Sequence, residues 1–212
     1  MLPKMNLLSG NAASGGLFTD QKPSEGVTRV AASLNVQFPQ DSHSHTILVV
    51  PATAGARIGS FVRQLGASLG RLSAKPILVL GLDADSGLDG DAPLQAGGSP
   101  NGEQGYASGS GKEDGLNLTV GRLNVAAEAA SLPALREFLA SERQRYRFIL
   151  IGAAPLSRSG PAVLLSQLAA GVLLVLSGGV STTDEARRSA AAIRQSGGNL
   201  LGFVIDESRR GR

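Results

Sequence analysis

The sequence predicts an α/β fold, a mostly parallel sheet with helices on both faces, and three observations carry that expectation. Short apolar runs recur at 47–50, 77–80, 116–120, 148–151, 172–176 and 200–205. Runs of this length suit strands covered on both faces, as parallel strands usually are. Between them lie helical patterns, in which Phe61, Val62, Leu65, Leu69 and Leu72 share one face, as do Leu132, Leu135, Phe138 and Leu139. The third observation is the alternation itself, strand pattern then helix pattern, which implies crossover connections and a layered domain.

Composition sets the bounds. The chain has 212 residues, 42% hydrophobic and 17% charged, enough for one sizeable core. It has no cysteine, so disulfides, thiolate metal sites and a thiol nucleophile are excluded, in keeping with a reducing compartment. The net charge of +3 is spread along the chain apart from Arg209, Arg210 and Arg212. That basic tail, 207–212, reads as solvated, or as a weak contact with anionic lipid or an acidic partner. Aromatic residues make up 4% and no basic stripe interleaves with them, which argues against nucleic-acid binding.

From the start of the chain, residues 1–23 are rich in Ser, Gly and Asn without a continuous apolar core, so they are expected to be disordered rather than to direct export. His43 and His45 read as loop histidines before the first strand, with nothing nearby to complete a metal set. The interval 86–115 is rich in Gly, Ser and Asp and fits no element; a flexible insertion is expected there within a single domain spanning 24–206. Ser157 and Ser159 have no histidine at a hydrolase spacing. Residues 162–176 are too interrupted for a membrane span and read as a helix feeding a buried strand. In the last helix, Ser181 is expected to cap a first turn holding Asp184 and Glu185, with Gly197 and Gly198 ending it.

The segment 47–70, ILVVPATAGARIGSFVRQLGASLG, has the strand, glycine-bearing turn and amphipathic helix of a phosphate-binding loop but no lysine. In such loops backbone N–H groups wrap the phosphates, the lysine reaches the outer ones and a following hydroxyl holds magnesium. Taken alone, Gly55 and Gly59 form a tight turn, Arg57 is a solvated arginine or a phosphate contact from another direction, and Asp83 and Asp85 are turn or cap residues.

Several phrases resemble the cytoplasmic kinase domain of the bacterial tyrosine kinases of capsule and exopolysaccharide biosynthesis, a branch of the P-loop ATPases. They are YRFILIGAAP at 146–155, LLSQLAAGVLLVLSGGVSTTDEARRS at 164–189 and GNLLGFVID at 198–206. The resemblance runs from about 24 to 206 and implies a P-loop NTPase-like three-layer sandwich. Its departures fall on nucleotide-handling positions. Against the family loop PGEGKST, the gap-free register places Ile58 at the lysine and Gly59 at the magnesium hydroxyl; a one-residue deletion puts Ser60 there instead.

The acidic pair after the second strand falls on Gly81 and Asp83 without gaps, or on Asp83 and Asp85 with an insertion. The Walker B aspartate falls on Gly152, and the adenine-contacting asparagine becomes Asp206. The family's C-terminal tyrosine cluster has no counterpart, the two tyrosines being Tyr106 and Tyr146. In SEGVTRVAASLNVQF, similar to the family's subunit-joining helix, Glu25 is retained, while the arginine positions fall on Thr28 and Ala31 and Arg29 is one step out of register.

Removing one preorganised charged group from a transition state costs about 3 kcal/mol, and phosphoryl transfer depends almost wholly on such groups. The resemblance therefore implies a pseudokinase, a catalytically silent member of its family with no catalytic residues, metal or cofactor. Its expected role is to support capsule or exopolysaccharide biosynthesis and export by binding the cytoplasmic part of an inner-membrane polysaccharide co-polymerase. It would be cytoplasmic, held at the membrane through that partner, with a homo-oligomer left open. The alternative is an active ATP- and magnesium-dependent tyrosine kinase or ATPase with an atypical site built from Arg57 or a donated lysine, with Asp83 and Asp85 retained.

Overall fold

The computed structural model describes residues 24–39, 43–54, 56, 58–82, 111–112, 117–123 and 132–206. The expectations placed on 1–23, Gly55, Arg57, Asp83, Asp85, Tyr106, the tail from 207 and most of 86–115 fall outside these residues. The elements in chain order are α1 (Glu25–Gln37), β1 (His45–Pro51), α2 (Gly59–Leu72), β2 (Ile77–Gly81), β3 (Gly111–Lys112), β4 (Leu118–Arg122), α3 (Leu132–Glu142), β5 (Phe148–Gly152), α4 (Gly160–Leu168), β6 (Gly171–Ser177), α5 (Thr183–Gln195) and β7 (Leu200–Asp206).

The strands form one sheet in the order β3-β4-β2-β5-β1-β6-β7. Every pairing is parallel except β3 with β4. Of the interval 86–115 only two residues are described, and at these two the expectation of no element is corrected. Gly111 and Lys112 pair antiparallel with Val120 and Thr119, a short edge strand with no apolar run to announce it.

Period-two alternation divides the strand side chains between two cores. Ile47, Val49, Ile77, Val79, Phe148, Leu150, Leu173 and Val175 face the side covered by α1 and α2. Their neighbours Leu48, Val50, Leu78, Leu80, Ile149, Ile151, Val172 and Leu174 face the side covered by α3, α4 and α5. Burial on both faces is why these strands read as continuous apolar runs. The α2 stripe lies against the sheet through Phe61, Val62, Leu65 and Leu69, but Leu72, in the last turn, is 41% exposed and drops out of the predicted face. Gly66 lets α2 sit close: a Cβ there would lie 2.5 Å from Val79 Cγ2 and 2.9 Å from Leu118 Cδ1.

Helix boundaries follow local chemistry. Ser24 and Ser159 cap α1 and α4 by accepting from the N–H groups of Val27 and Ala162. The α5 cap is Thr182, not Ser181: Thr182 Oγ1 accepts from Glu185 N while the Glu185 carboxylate accepts from Thr182 N, a reciprocal capping box. At the other end Gly197 has φ +81°. Its N–H reaches Arg194 O and that of Gly198 reaches Ile193 O, the paired bonds of a Schellman motif.

At the amino end of the central strand, His45 opens β1 instead of lying in a loop. Its ring packs 4.6 Å from Phe38 and 5.9 Å from Phe148. Among the described residues no group of three His, Asp or Glu is placed to hold a metal ion, and no helix is long and apolar enough to cross a membrane.

Candidate functional site

The site is set by topology. β1 lies between β5 and β6, and its connection through α2 passes over one face of the sheet, whereas β6 connects through α5 over the other. In open α/β sheets the crevice beyond the carboxyl ends of the strands at such a switch point is where ligands bind. The segment after β1, the phosphate-loop-like turn of the sequence, starts in this crevice.

Its described residues have definite partners. Ala52 N–H donates to Val175 O at 2.9 Å, continuing the β1–β6 ladder for one residue. Thr53 is half-buried, and its Oγ1 lies 2.8 Å from Ser181 Oγ and donates to Glu185 Oε2 at 3.5 Å. Ser189 Oγ donates to Ala52 O at 3.1 Å. Ser181, expected as a helix cap, instead accepts from Ser177 N–H at 2.9 Å and meets Thr53.

At the far end of the segment stands Ile58, the residue matched to the family lysine. It occupies the cap position of α2 with φ −102° and ψ −2°, and its side chain makes no cap hydrogen bond. It is 1% exposed and belongs to the core cluster shared by α1, α2 and the sheet, with Val27, Val30, Phe61 and Val62. Gly59 is buried and Ser60 is exposed in the first turn of α2. The side chain at 58 is thus directed into the α1–α2 core.

Of the acidic positions, Gly81 and Gly152 lie among the described residues. Gly81 ends β2 and Gly152 ends β5, and the two are register partners. Gly152 O accepts from Leu82 N–H, and Gly81 O from Leu123 N–H. Two adjacent strand ends at the crevice therefore end in glycine, with no side chain projecting from either position. Asp206 ends β7, two strands from β1, opposite Ser177, and its carbonyl accepts from Gly178 N–H. In α1, Glu25 pairs with Arg29 on the exposed surface. Ala31, matched by the resemblance to the family helix's second arginine, is fully buried.

The Glu185 carboxyl is held below its ordinary range, chiefly by the Thr182 backbone N–H and then by the Thr182 hydroxyl, with smaller help from Thr53 and Arg188. Burial lowers the Arg143 pKa. Its guanidinium donates to Thr46 Oγ1 at 3.3 Å and Leu168 O at 3.1 Å, bracing β1 against the end of α4 on the side away from the crevice. The Thr53–Ser181–Glu185 contact is what the sequence reading missed. The Thr182-x-x-Glu185 spacing was visible, but its link to Thr53 spans more than a hundred residues.

No protein-family model matches the sequence, and no curated protein matches it. Solved structures do. The VpsO kinase domain is 20% identical with a TM-score of 0.67, covering 84% of this chain and 93% of that one. The BceF tyrosine kinase domain is 16% identical at TM-score 0.65, covering 87% and 77%. The kinase domain of the Escherichia coli tyrosine kinase ETK is 17% identical at 0.61, covering 89% and 77%. The cell division protein MinD of Aquifex aeolicus is similar at 0.53 and 17% identity, over 76% and 69%. The chain therefore has the P-loop NTPase-like fold of bacterial tyrosine kinase domains, the fold that its sequence phrases resemble.

Proposed function

We propose that this chain is a catalytically silent tyrosine-kinase-like module, a pseudokinase that acts by binding. In this reading it supports capsule or exopolysaccharide biosynthesis and export by docking on the cytoplasmic part of an inner-membrane polysaccharide co-polymerase, which also holds it at the membrane. No nucleotide or magnesium takes part.

The observation that carries the reading is the burial of Ile58. A loop lysine works by extending toward the outer phosphates, and the matching side chain is instead part of the hydrophobic core. Gly81 and Gly152 support it, since in the gap-free register these two neighbouring strand ends are the positions at which carboxylates would organise magnesium. Docking draws its support from the kinase-domain fold and the sequence phrases. Affinity purification of the tagged chain from its own cells tests the partner: a polysaccharide co-polymerase should co-purify, and its repeated absence under membrane-solubilising conditions refutes docking. Phosphotyrosine accumulating on the purified chain with ATP and magnesium refutes silence.

A further inference from the structure

We infer that the start of the segment after β1, Ala52 and Thr53, is fastened to the start of α5 by the protein's own side chains and is coupled to it, while Ile58 anchors the segment's far end. At its start, three side-chain bonds tie Ala52 and Thr53 to the α5 region: Thr53 with Ser181, Thr53 with Glu185, and Ser189 with Ala52 O. These partners are themselves fixed. Ser181 is held by Ser177 N–H, and Glu185 by the N–H and hydroxyl of Thr182. At its end, Ile58 is sunk in the core on the opposite face of the sheet.

A hydroxyl pair and a carboxylate thus hold Thr53, and apolar burial holds Ile58. The first turns of α5 leave Thr183, Asp184, Arg187 and Arg188 exposed, one helical turn or less from Glu185. A group that binds there and displaces Glu185 or Ser181 also releases Thr53, and by linkage a change at Thr53 is felt in α5. This coupling concerns the fastening of the segment and stands whether or not nucleotide binds.

Hydrogen exchange on the full chain without nucleotide tests it, comparing wild type with Thr53→Val, which keeps the shape and removes the hydroxyl, and Thr53→Ser, which keeps the hydroxyl. Loss of hydrogen bonds of this kind raises local opening roughly three- to ten-fold. The Val variant should therefore exchange faster by about that factor at Ala52, whose N–H is bonded to Val175 O, and, reciprocally, at Glu185 and Ala186, while the Ser variant stays near wild type. Equal rates in the Val and Ser variants, or acceleration confined to Ala52 with α5 unchanged, overturns the coupling. Glu185→Ala gives an independent check from the α5 side: faster exchange at Ala52 is expected, and fraying of α5 alone contradicts the proposal.

Discussion

Replacing Ile58 separates a phosphate-loop position from a core position. The side chain is 1% exposed within the α1–α2 core, and truncating a buried isoleucine to alanine costs about 2–5 kcal/mol through lost burial and the cavity left behind. With a urea slope of about 2 kcal/mol/M, Ile58→Ala should lower the unfolding midpoint by about 1–2.5 M.

Ile58→Lys is the sharper variant. An ammonium cannot stay in that core without a cost of several kcal/mol, so the lysine must run its stem out to water, abandoning the contacts of the isoleucine. The expected destabilisation is about 2 kcal/mol or more, with no nucleotide binding gained. Equilibrium urea unfolding followed by circular dichroism measures the first part, and calorimetric titration the second. A lysine variant as stable as wild type that binds ATP with magnesium refutes the reasoning, because the side chain at 58 would then reach the crevice freely.

Two further predictions follow from packing and charge. Gly66→Ala places a Cβ 2.5 Å from Val79 Cγ2, so α2 must shift away from the sheet; a loss of about 1–3 kcal/mol is expected by urea unfolding, and no loss would show that α2 is not seated as described. The pH dependence of α5 follows from Glu185, whose folded pKa lies below its unfolded value. Its stabilising effect is then fully present above the unfolded value, about 4.3, and disappears as pH falls through the folded one. Amide protection in the first turn of α5 should stay level from neutral pH to about 5 and decline below about 4, and Glu185→Gln should flatten that dependence.

The parallel strands were legible because burial on both faces removes polar residues from their sequences, leaving apolar runs bounded by loops. The antiparallel edge at Gly111–Lys112 left no such mark, being paired on one side only with β4. At the start of α5, Ser181 and Thr182 are equally good caps in isolation. In the fold the Ser181 hydroxyl is taken up by Ser177 N–H and by Thr53, and Thr182 is the cap. Leu72 follows the helical period yet is partly exposed, as the last residue of α2. At the site, the sequence placed Gly81, Gly152 and Ile58 on nucleotide-handling positions only through resemblance. That Gly81 and Gly152 are register partners, and that Ile58 is core, are tertiary facts without local signature.

Calorimetric titration of the intact chain with ATP, in the presence and absence of magnesium, tests the central claim most directly. The account predicts no saturable binding up to about 1 mM nucleotide in either condition. Saturable, magnesium-dependent binding with a Kd of about 10 µM or tighter would contradict it.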